Sequence, residues 1–312
     1  MKIGIIDLGT NTFNLLIAEV VGERSFKKIL SKKIAIKLLK DSDKDLKVQP
    51  PQLEKAVSVI KHYNNLLTDH KVDIVRLIGT EAFRACSNST ELIKRIEEVV
   101  QKKIEVISGD QEALYIYKGV SLTNSLNANY SLIMDIGGGS VEFIIANKTN
   151  VQWYKSFKIG ISKIYELFKP SDPLLTSDIN KISTYFGEQL YELKNKLYVY
   201  KPTTLIGTSG SFECIANIMF NKFFNKDMDY ELLHKFYVND LKKILKLLII
   251  LPYHDRKLIK GMDLTRVELI HISALLIDYV VNMFDCYYFI HSCYSIKEGV
   301  LLETIEKENI NI

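Results

Sequence analysis

A short sequence pattern occurs twice in this chain, and the two copies constrain the fold more than any other feature. Residues 6–18 align with residues 134–146 without a gap, at a spacing of 128 positions (135 − 7 = 128). In each copy an apolar run ends in an aspartate, Asp7 or Asp135, and a glycine-containing turn leads to a second apolar run. Each copy predicts a β-hairpin, and the repetition predicts two domains of the same fold.

The segments after each hairpin alternate between apolar runs of strand length and stretches of helical periodicity, which is typical of α/β proteins. A polar segment rich in Asn and Ser, residues 121–131, separates the two halves. We therefore expect domains at residues 1–124 and 125–295, the second with helical insertions, and a final helix at 296–312 that packs back on the first domain. A single helix is expected at 178–197, and mostly helix between 223 and 284.

Composition excludes several classes of protein. The 312 residues are 47% hydrophobic and 25% charged, as in a globular protein with a buried core. The formal charge of +4 (41 − 37) does not favour a nucleic-acid-binding surface and suits an anionic small substrate only weakly. No apolar run approaches the length of a membrane span, and Asp7 lies where a signal peptide needs apolar residues. The sequence therefore predicts a cytoplasmic protein without nucleic-acid or membrane partners.

The cysteines and histidines show no spacing that is typical of a metal site. Cys86, Cys214, Cys286 and Cys293 form no CxxC pair, and the six histidines are dispersed along the chain. We therefore interpret the four thiols as buried cysteines of a reducing compartment and expect no metal site made of cysteine and histidine.

The hairpin tips contain the residue types that phosphate binding requires. Glycine lets backbone N–H groups approach a ligand closely, successive N–H groups form an anion-binding nest, and hydroxyls add donors. An aspartate at the end of each leading strand can hold a cation against phosphate oxygens. One such tip is as readily an ordinary tight turn, but a matched pair facing across a cleft would hold a phosphate chain from both sides. The tip residues are Gly9, Thr10, Asn11, Thr12, Gly137, Gly138, Gly139 and Ser140.

The paired hairpins resemble those of the actin-like phosphotransferase superfamily. Five segments narrow the resemblance to the exopolyphosphatase/guanosine pentaphosphate phosphatase (Ppx/GppA) family, in a short form without its C-terminal helical domains. They are GTEAFRACSN at 79–88, ISGDQEA at 107–113, DIGGGSVE at 135–142, IGTSGS at 206–211 and SIKEGVL at 295–301. The resemblance implies an α/β fold of two duplicated actin-like (ribonuclease H-like) ATPase domains with the active site in an interdomain cleft.

The resemblance also implies a phosphoanhydride hydrolase. The activity that it favours is Mg²⁺-dependent removal of terminal orthophosphate from inorganic polyphosphate. Hydrolysis of the 5′-phosphate of guanosine pentaphosphate is an alternative, although no guanine-recognition motif can be named in the sequence. A non-catalytic binder of phosphorylated nucleotides and a sugar kinase are alternatives from other classes. The resemblance is compatible with a homodimer.

Individual residues receive roles from the same resemblance. Glu112 matches the family's catalytic glutamate and is expected to activate water, and a position in the first turn of a helix would keep it ionised. Asp135 and Glu142 match acids that are associated with Mg²⁺, and Asp7 is the counterpart of Asp135 in the first copy. Asn14, the counterpart of Glu142, stands where family members often carry Arg or His.

Further motif residues are expected to contact phosphate, each with a structural alternative. Arg84 could bind phosphate oxygens through two N–H groups or form a surface ion pair. Ser209, Gly210 and Ser211 lie at a predicted strand-to-helix turn, which binds anions or simply caps the helix. Lys297, which replaces the family's usual arginine, either reaches the substrate or has a structural role.

Overall fold

The computed structural model describes residues 1–40, 42, 46–225, 228 and 231–308. The chain forms two compact units, each with its own hydrophobic core. The first contains Met1–Gly119 and the segment that begins at Ile296, and the second contains Val120–Ser295. The division after Gly119 falls inside a helix, whereas the sequence analysis placed it after residue 124.

The first unit is built on a five-stranded sheet. Its strands are β1 (Lys2–Leu8), β2 (Thr12–Gly22), β3 (Ser25–Ala35), β4 (Ile74–Gly79) and β5 (Ile104–Val106). Strands β1 to β3 form an antiparallel meander, and β4 and β5 extend the sheet in parallel in the order β3-β2-β1-β4-β5. The helices that begin before the division are α1 (Pro50–Asp69), α2 (Glu81–Ala85), α3 (Ser89–Val100) and α4 (Gly109–Ser121).

The second unit repeats this plan with additions. Its strands are β6 (Ser131–Ile136), β7 (Val141–Ala146), β8 (Val151–Phe157), β9 (Thr204–Thr208), β10 (Leu233–Tyr237) and β11 (Tyr288–Ser292). Its helices are α5 (Ile161–Phe168), α6 (Thr176–Gln189), α7 (Tyr191–Tyr200), α8 (Ser209–Phe224), α9 (Val238–Ile250), α10 (Tyr253–Lys257) and α11 (Ile270–Val281). The sheet order is β8-β7-β6-β9-β11-β10, which is the order of the first sheet with β10 added at one edge.

The duplication extends beyond the hairpins. The tetrapeptide Leu-Ile-Gly-Thr occurs at 77–80 and again at 205–208, at the same spacing of 128 positions (205 − 77 = 128). In the second unit it ends β9, and in the first it covers the end of β4 and the next residue, so both copies are followed directly by a helix. The pairing of this segment with the first strand of each unit differs by two residues. Gly79 pairs with Leu8, whereas Gly207 pairs with Met134 and not with Ile136, the counterpart of Leu8.

Two predictions of secondary structure were wrong. The region predicted as mostly helix contains the strand β10, whose alternating burial lets it pair with β11 in antiparallel fashion. A strand of five residues between helical segments is too short for its alternating pattern to be recognised in the sequence. The helix expected at 178–197 is two helices, because the backbone of Leu190 (φ −97°, ψ 14°) departs from helical geometry between α6 and α7.

The last helix, α12 (Ile296–Lys307), belongs to the first unit and packs against β1 and α4. Gly299 is the point of closest approach, since a Cβ placed there would overlap the carbonyl oxygen of Tyr115 at 1.8 Å. Backbone cannot move aside as a flexible side chain does, so overpacking here costs about 1–3 kcal/mol or more. We expect Gly299→Ala to lower the melting temperature by several degrees in a thermal scan, whereas an unchanged melting temperature would contradict this packing.

A buried histidine gives the second unit a pH-dependent stability. Burial lowers the pKa of His271 to about 4, and the neighbouring charge of Arg256 also lowers it. Between pH 6.5 and 4 the unfolded chain therefore binds a proton that the folded chain does not, and stability falls as pH falls through this window. We expect a loss of about 1.4 kcal/mol per pH unit from this group. In urea unfolding, the stability of His271→Leu should fall less steeply with decreasing pH than that of wild type. Equal slopes would contradict this role of His271.

Among the residues that the structure describes, no helix has the length and apolar character needed to cross a membrane.

Candidate active site

The two predicted hairpin tips have the same turn. The N–H of Gly9 donates to the carbonyl oxygen of Thr12 at 3.1 Å, and the N–H of Gly137 donates to that of Ser140 at 3.0 Å. At either glycine, a Cβ would lie 2.9 Å from the accepting oxygen, closer than such contacts occur. Both glycines are therefore required by the turn itself.

The carbonyl groups of the second tip are held by the start of α5. The N–H of Gly160 donates to Gly139, and the N–H groups of residues 161, 162 and 163 donate to Gly137 and Gly138, at 3.0–3.3 Å. These N–H groups begin a helix and have no partners within it, so the tip satisfies them. The contact is close: a Cβ on Gly160 would lie 2.3 Å and 2.4 Å from the carbonyl carbons of Gly139 and Gly138.

The first tip is held in an equivalent way without a helix. The carbonyl of Asn11 accepts hydrogen bonds from the N–H groups of Ile36 and Lys37 at 2.8 and 3.1 Å, and the carbonyl of Thr10 accepts one from Leu38 at 2.8 Å. Thr10 and Asn11 are the counterparts of Gly138 and Gly139 at the spacing of 128 positions. In both units, the chain that follows the three-stranded meander therefore binds the carbonyls of the tip.

This arrangement orients the N–H groups of each tip. The C=O and N–H of one trans peptide unit point in opposite directions. Because the carbonyls point toward the following chain, the N–H groups of Asn11 and Thr12, and of Gly139 and Ser140, point away from it. Successive N–H groups with one orientation form a nest that favours an anion. The geometry therefore suits the predicted phosphate contacts, which remain a prediction.

The acidic residues of the two hairpins differ in their partners. Asp135 and Glu142 are directly opposite each other on β6 and β7, and both are buried. Asp135 accepts a hydrogen bond from the Ser295 hydroxyl at 2.6 Å, and Glu142 accepts one from the Ser156 hydroxyl at 2.7 Å.

In the first unit, the position opposite Asp7 is occupied by Asn14, whose amide donates to the Asp7 carboxylate at 2.8 Å. A paired acid at the hairpin is thus specific to the second unit.

The residues of the second hairpin fit a magnesium ion. Two carboxylates of like charge, 8% and 1% exposed, lie on adjacent strands. Hard oxygen donors of this kind, with phosphate oxygens and water, are the ligands that Mg²⁺ prefers, and a divalent cation would offset the repulsion between them.

Glu112 lies in the first unit at the start of α4. The hydroxyl of Ser108 caps this helix by accepting the N–H of Gln111 at 3.1 Å, and the Ser108 carbonyl accepts the N–H of Glu112 at 2.9 Å. The Glu112 side chain is 12% exposed, and its Oε2 lies 3.0 Å from Nη2 of Arg84. The structure therefore brings together the predicted base and the predicted phosphate-binding arginine.

Arg84 has a second acidic partner that the sequence analysis missed. Its Nε and Nη2 donate to Oε2 of Glu81 at 3.0 and 2.8 Å, and its Nη1 donates to the carbonyl oxygen of Ile107 at 2.6 Å. Burial alone would lower the pKa of Arg84, but the carboxylates of Glu112 and Glu81 raise it above its ordinary value. Arg84 thus stays charged and fixes the Glu112 side chain. The spacing of Glu81 and Arg84, three residues apart on a helix, could have indicated this pair.

The turn before α8 contains the predicted phosphate contacts Ser209, Gly210 and Ser211. Ser209 has φ +70°, a conformation that residues other than glycine rarely adopt, and its hydroxyl donates to the carbonyl of Ile136 at 3.2 Å. The Ser211 hydroxyl is fully buried and lies 3.0 Å from the hydroxyl of Ser273, so it is not available to a ligand. The prediction for Ser211 is corrected in this respect, and only its backbone N–H can contribute.

Gly210 makes room for an arginine beside this turn. A Cβ at Gly210 would lie 2.2 Å from Nη2 of Arg266, so the guanidinium group rests against the backbone of the first helical turn. Arg266 was not among the predicted site residues. Lys297, on α12, is partly buried and belongs to the first unit.

Comparison with known proteins decides the family. A family model described as the Ppx/GppA phosphatase family matches residues 16–308. The chain belongs to this family. A bifunctional 3-dehydroquinate synthase/phosphatase of Fusobacterium nucleatum is 28% identical over 97% of this chain and 46% of its own length. A guanosine-5′-triphosphate,3′-diphosphate pyrophosphatase of Aeromonas salmonicida is 31% identical over 69% of this chain and 43% of its own. The chain thus spans less than half the length of these two relatives.

Solved structures of the family have the same fold. An exopolyphosphatase from Cytophaga hutchinsonii has a TM-score of 0.94 and 33% sequence identity, over 98% of both chains. A Ppx/GppA family member from Aquifex aeolicus has a TM-score of 0.82 over 99% of both chains at 24% identity, which supports the fold alone. The predicted α/β fold of two duplicated actin-like domains is confirmed.

Proposed function

We propose that this protein is an exopolyphosphatase that removes terminal orthophosphate from inorganic polyphosphate in a Mg²⁺-dependent reaction. The observation that carries this proposal is the matched orientation of the two glycine tips, each with its carbonyls bound and its N–H groups turned the other way. A polyphosphate chain presents anionic oxygens along its length, and backbone N–H groups with one orientation favour such anions. Arg84 and Arg266 supply positive charge near Glu112 and the α8 turn respectively.

In the proposed reaction, Glu112 acts as a general base. A water proton passes to the Glu112 carboxylate, and the resulting hydroxide attacks the terminal phosphorus. The bond from that phosphorus to the bridging oxygen breaks, so that orthophosphate and a chain shorter by one phosphate are released. Arg84 orients Glu112 through its 3.0 Å ion pair and adds charge that stabilises the transition state. When bound at Asp135 and Glu142, Mg²⁺ would neutralise negative charge on the phosphate oxygens.

Hydrolysis of guanosine pentaphosphate is the second candidate. It is supported by the Aeromonas salmonicida relative, which is named as acting on that nucleotide. Exopolyphosphatase activity is favoured because the Cytophaga hutchinsonii structure and this chain match over 98% of both chains. The match to the Aeromonas salmonicida pyrophosphatase covers only 43% of that protein.

Phosphate release from each substrate distinguishes the two activities. We expect orthophosphate to be released from polyphosphate with a kcat/KM at least about tenfold higher than from guanosine pentaphosphate, and chelation of Mg²⁺ to stop the reaction. The polyphosphate product should be orthophosphate together with gradually shortened chains. Preference for the nucleotide would favour the second candidate, and release from neither substrate would contradict both.

The proposed metal role of Glu142 can be tested separately. We expect Glu142→Gln to raise the Mg²⁺ concentration that gives half-maximal activity by about tenfold or more, because one hard, charged ligand is lost. The matched control is Glu188→Gln, an exposed acid on α6 of the same unit, which should leave the Mg²⁺ dependence unchanged. Equal Mg²⁺ dependence in the Glu142 variant and wild type would contradict the assignment.

A further inference from the structure

Two histidines and a cysteine that the proposed reaction does not use lie together in the second unit. His234 on β10 and His291 on β11 are directly opposite each other in the antiparallel pair, so both side chains lie on the same face of the sheet. Their rings are stacked with centroids 6.0 Å apart. Cys293 lies one residue beyond the end of β11, and its Sγ is 3.9 Å from Nδ1 of His291.

One donor atom from each of these three side chains lies within 4.8 Å of the other two. Tetrahedral zinc, with Zn–N bonds of about 2.0–2.1 Å and Zn–S bonds of about 2.3 Å, needs donors roughly 3.3–3.8 Å apart. Zinc binding therefore requires these donor atoms to approach one another by at most about 1.5 Å. The backbone near Cys293 is already fixed, since its N–H donates to the carbonyl of Leu232 at 3.0 Å.

We propose that His234, His291 and Cys293 form a zinc site that joins the edge strand β10 to β11. Neutral imidazole and thiolate are the donors that zinc prefers, whereas the carboxylates of Asp135 and Glu142 suit magnesium. Both histidines are buried, at 4% and 2% exposure.

Access and proton balance are consistent with this site. Cys293 is exposed, so a metal ion can arrive from solvent. Its thiol now donates to the carbonyl oxygen of Glu231 at 3.1 Å. Binding forms the Zn–S bond and releases the thiol proton to solvent, and water occupies the fourth position of the zinc ion.

Cobalt absorption tests the site directly. The reduced 312-residue protein is freed of metal and titrated with Co²⁺ in excess Mg²⁺, which fills oxygen-donor sites. We expect a thiolate-to-cobalt charge-transfer band that saturates at one equivalent and disappears when Zn²⁺ is added. Cys293→Ser should remove this band and weaken Zn²⁺ binding by at least about tenfold. Zn²⁺ should also raise the melting temperature of wild type by roughly 5 °C or more, but not that of Cys293→Ser.

Two variants serve as matched controls. Cys286→Ala removes a buried cysteine outside the cluster, and His254→Ala removes an exposed histidine outside it, so both should keep the band. Absence of the band in wild type, or its persistence in Cys293→Ser, would overturn the proposal. Glu142→Gln should keep the band, so this outcome does not depend on the proposed hydrolysis.

Discussion

Replacement of Glu112 by glutamine is expected to lower kcat for polyphosphate hydrolysis by about 10²–10⁴-fold, the usual contribution of a general base. Glutamine has nearly the same shape as glutamate, and its side-chain oxygen can still accept the hydrogen bond from Arg84. It cannot accept a proton from water. The loss should therefore fall on kcat, and KM should stay within about threefold of the wild-type value.

Asp110 provides the matched control for this variant. It is an exposed acid in the same first turn of α4, so Asp110→Asn removes the same charge from the same part of the helix. We expect its activity to stay within about twofold of wild type. Measured steady-state rates of phosphate release would contradict the role of Glu112 if the glutamine variant retained more than about a tenth of the wild-type kcat.

Replacement of Gly160 by alanine is expected to lower kcat/KM by about 100-fold, although Gly160 belongs to neither hairpin. The added methyl group would lie 2.3–2.4 Å from backbone atoms of Gly138 and Gly139. The backbone of the tip must therefore move by about 1 Å, which is enough to cost two orders of magnitude in rate when it displaces groups that bind the substrate.

The control for this variant is Gly187→Ala, a glycine-to-alanine change on α6 in the same unit. There, the new methyl group would contact only the hydroxyl of Tyr279, at 3.0 Å, and alanine is favoured over glycine inside a helix. We expect wild-type kcat/KM from this control. Circular dichroism should show that both variants fold, and a folded Gly160→Ala protein with wild-type kcat/KM would contradict the support of the second tip by α5.

Local patterns in the sequence were sufficient to predict both hairpins and an α/β fold of two similar domains, whereas the actin-like fold was predicted from the family resemblance. Asp7 and Asp135 occupy equivalent positions at the ends of β1 and β6, and Gly9 and Gly137 form identical turns. These features depend on residues close together in the chain, so a repeat at constant spacing reveals them. The start of α4 at Gly109, with Glu112 in its first turn, follows from local signals in the same way.

Features that depend on distant residues could not be predicted. The pairing of Arg84 with Glu112 joins α2 to α4, which are separated in the chain by α3 and β5. The support of the second tip by Gly160 joins segments on either side of β7 and β8. The burial of the Ser211 hydroxyl against Ser273 depends on a helix that follows 59 residues after it (270 − 211 = 59).

The same reason explains why the cluster of His234, His291 and Cys293 was not predicted. We expected four buried thiols and no site of this type, but Cys293 is exposed and lies beside two histidines. Only the pairing of β10 with β11 brings His234 next to His291, and the sequence analysis had assigned the β10 region to helix.

The most direct test of the proposed phosphate binding is whether the N–H groups of each tip respond to the substrate. We would record amide ¹H–¹⁵N spectra of the Glu112→Gln protein with Mg²⁺ while short-chain polyphosphate is added. We expect the N–H signals of residues 9–12 and those of residues 137–140 to shift as polyphosphate is added. Shifts confined to a single tip, or no shift at either tip, would contradict the proposed phosphate binding.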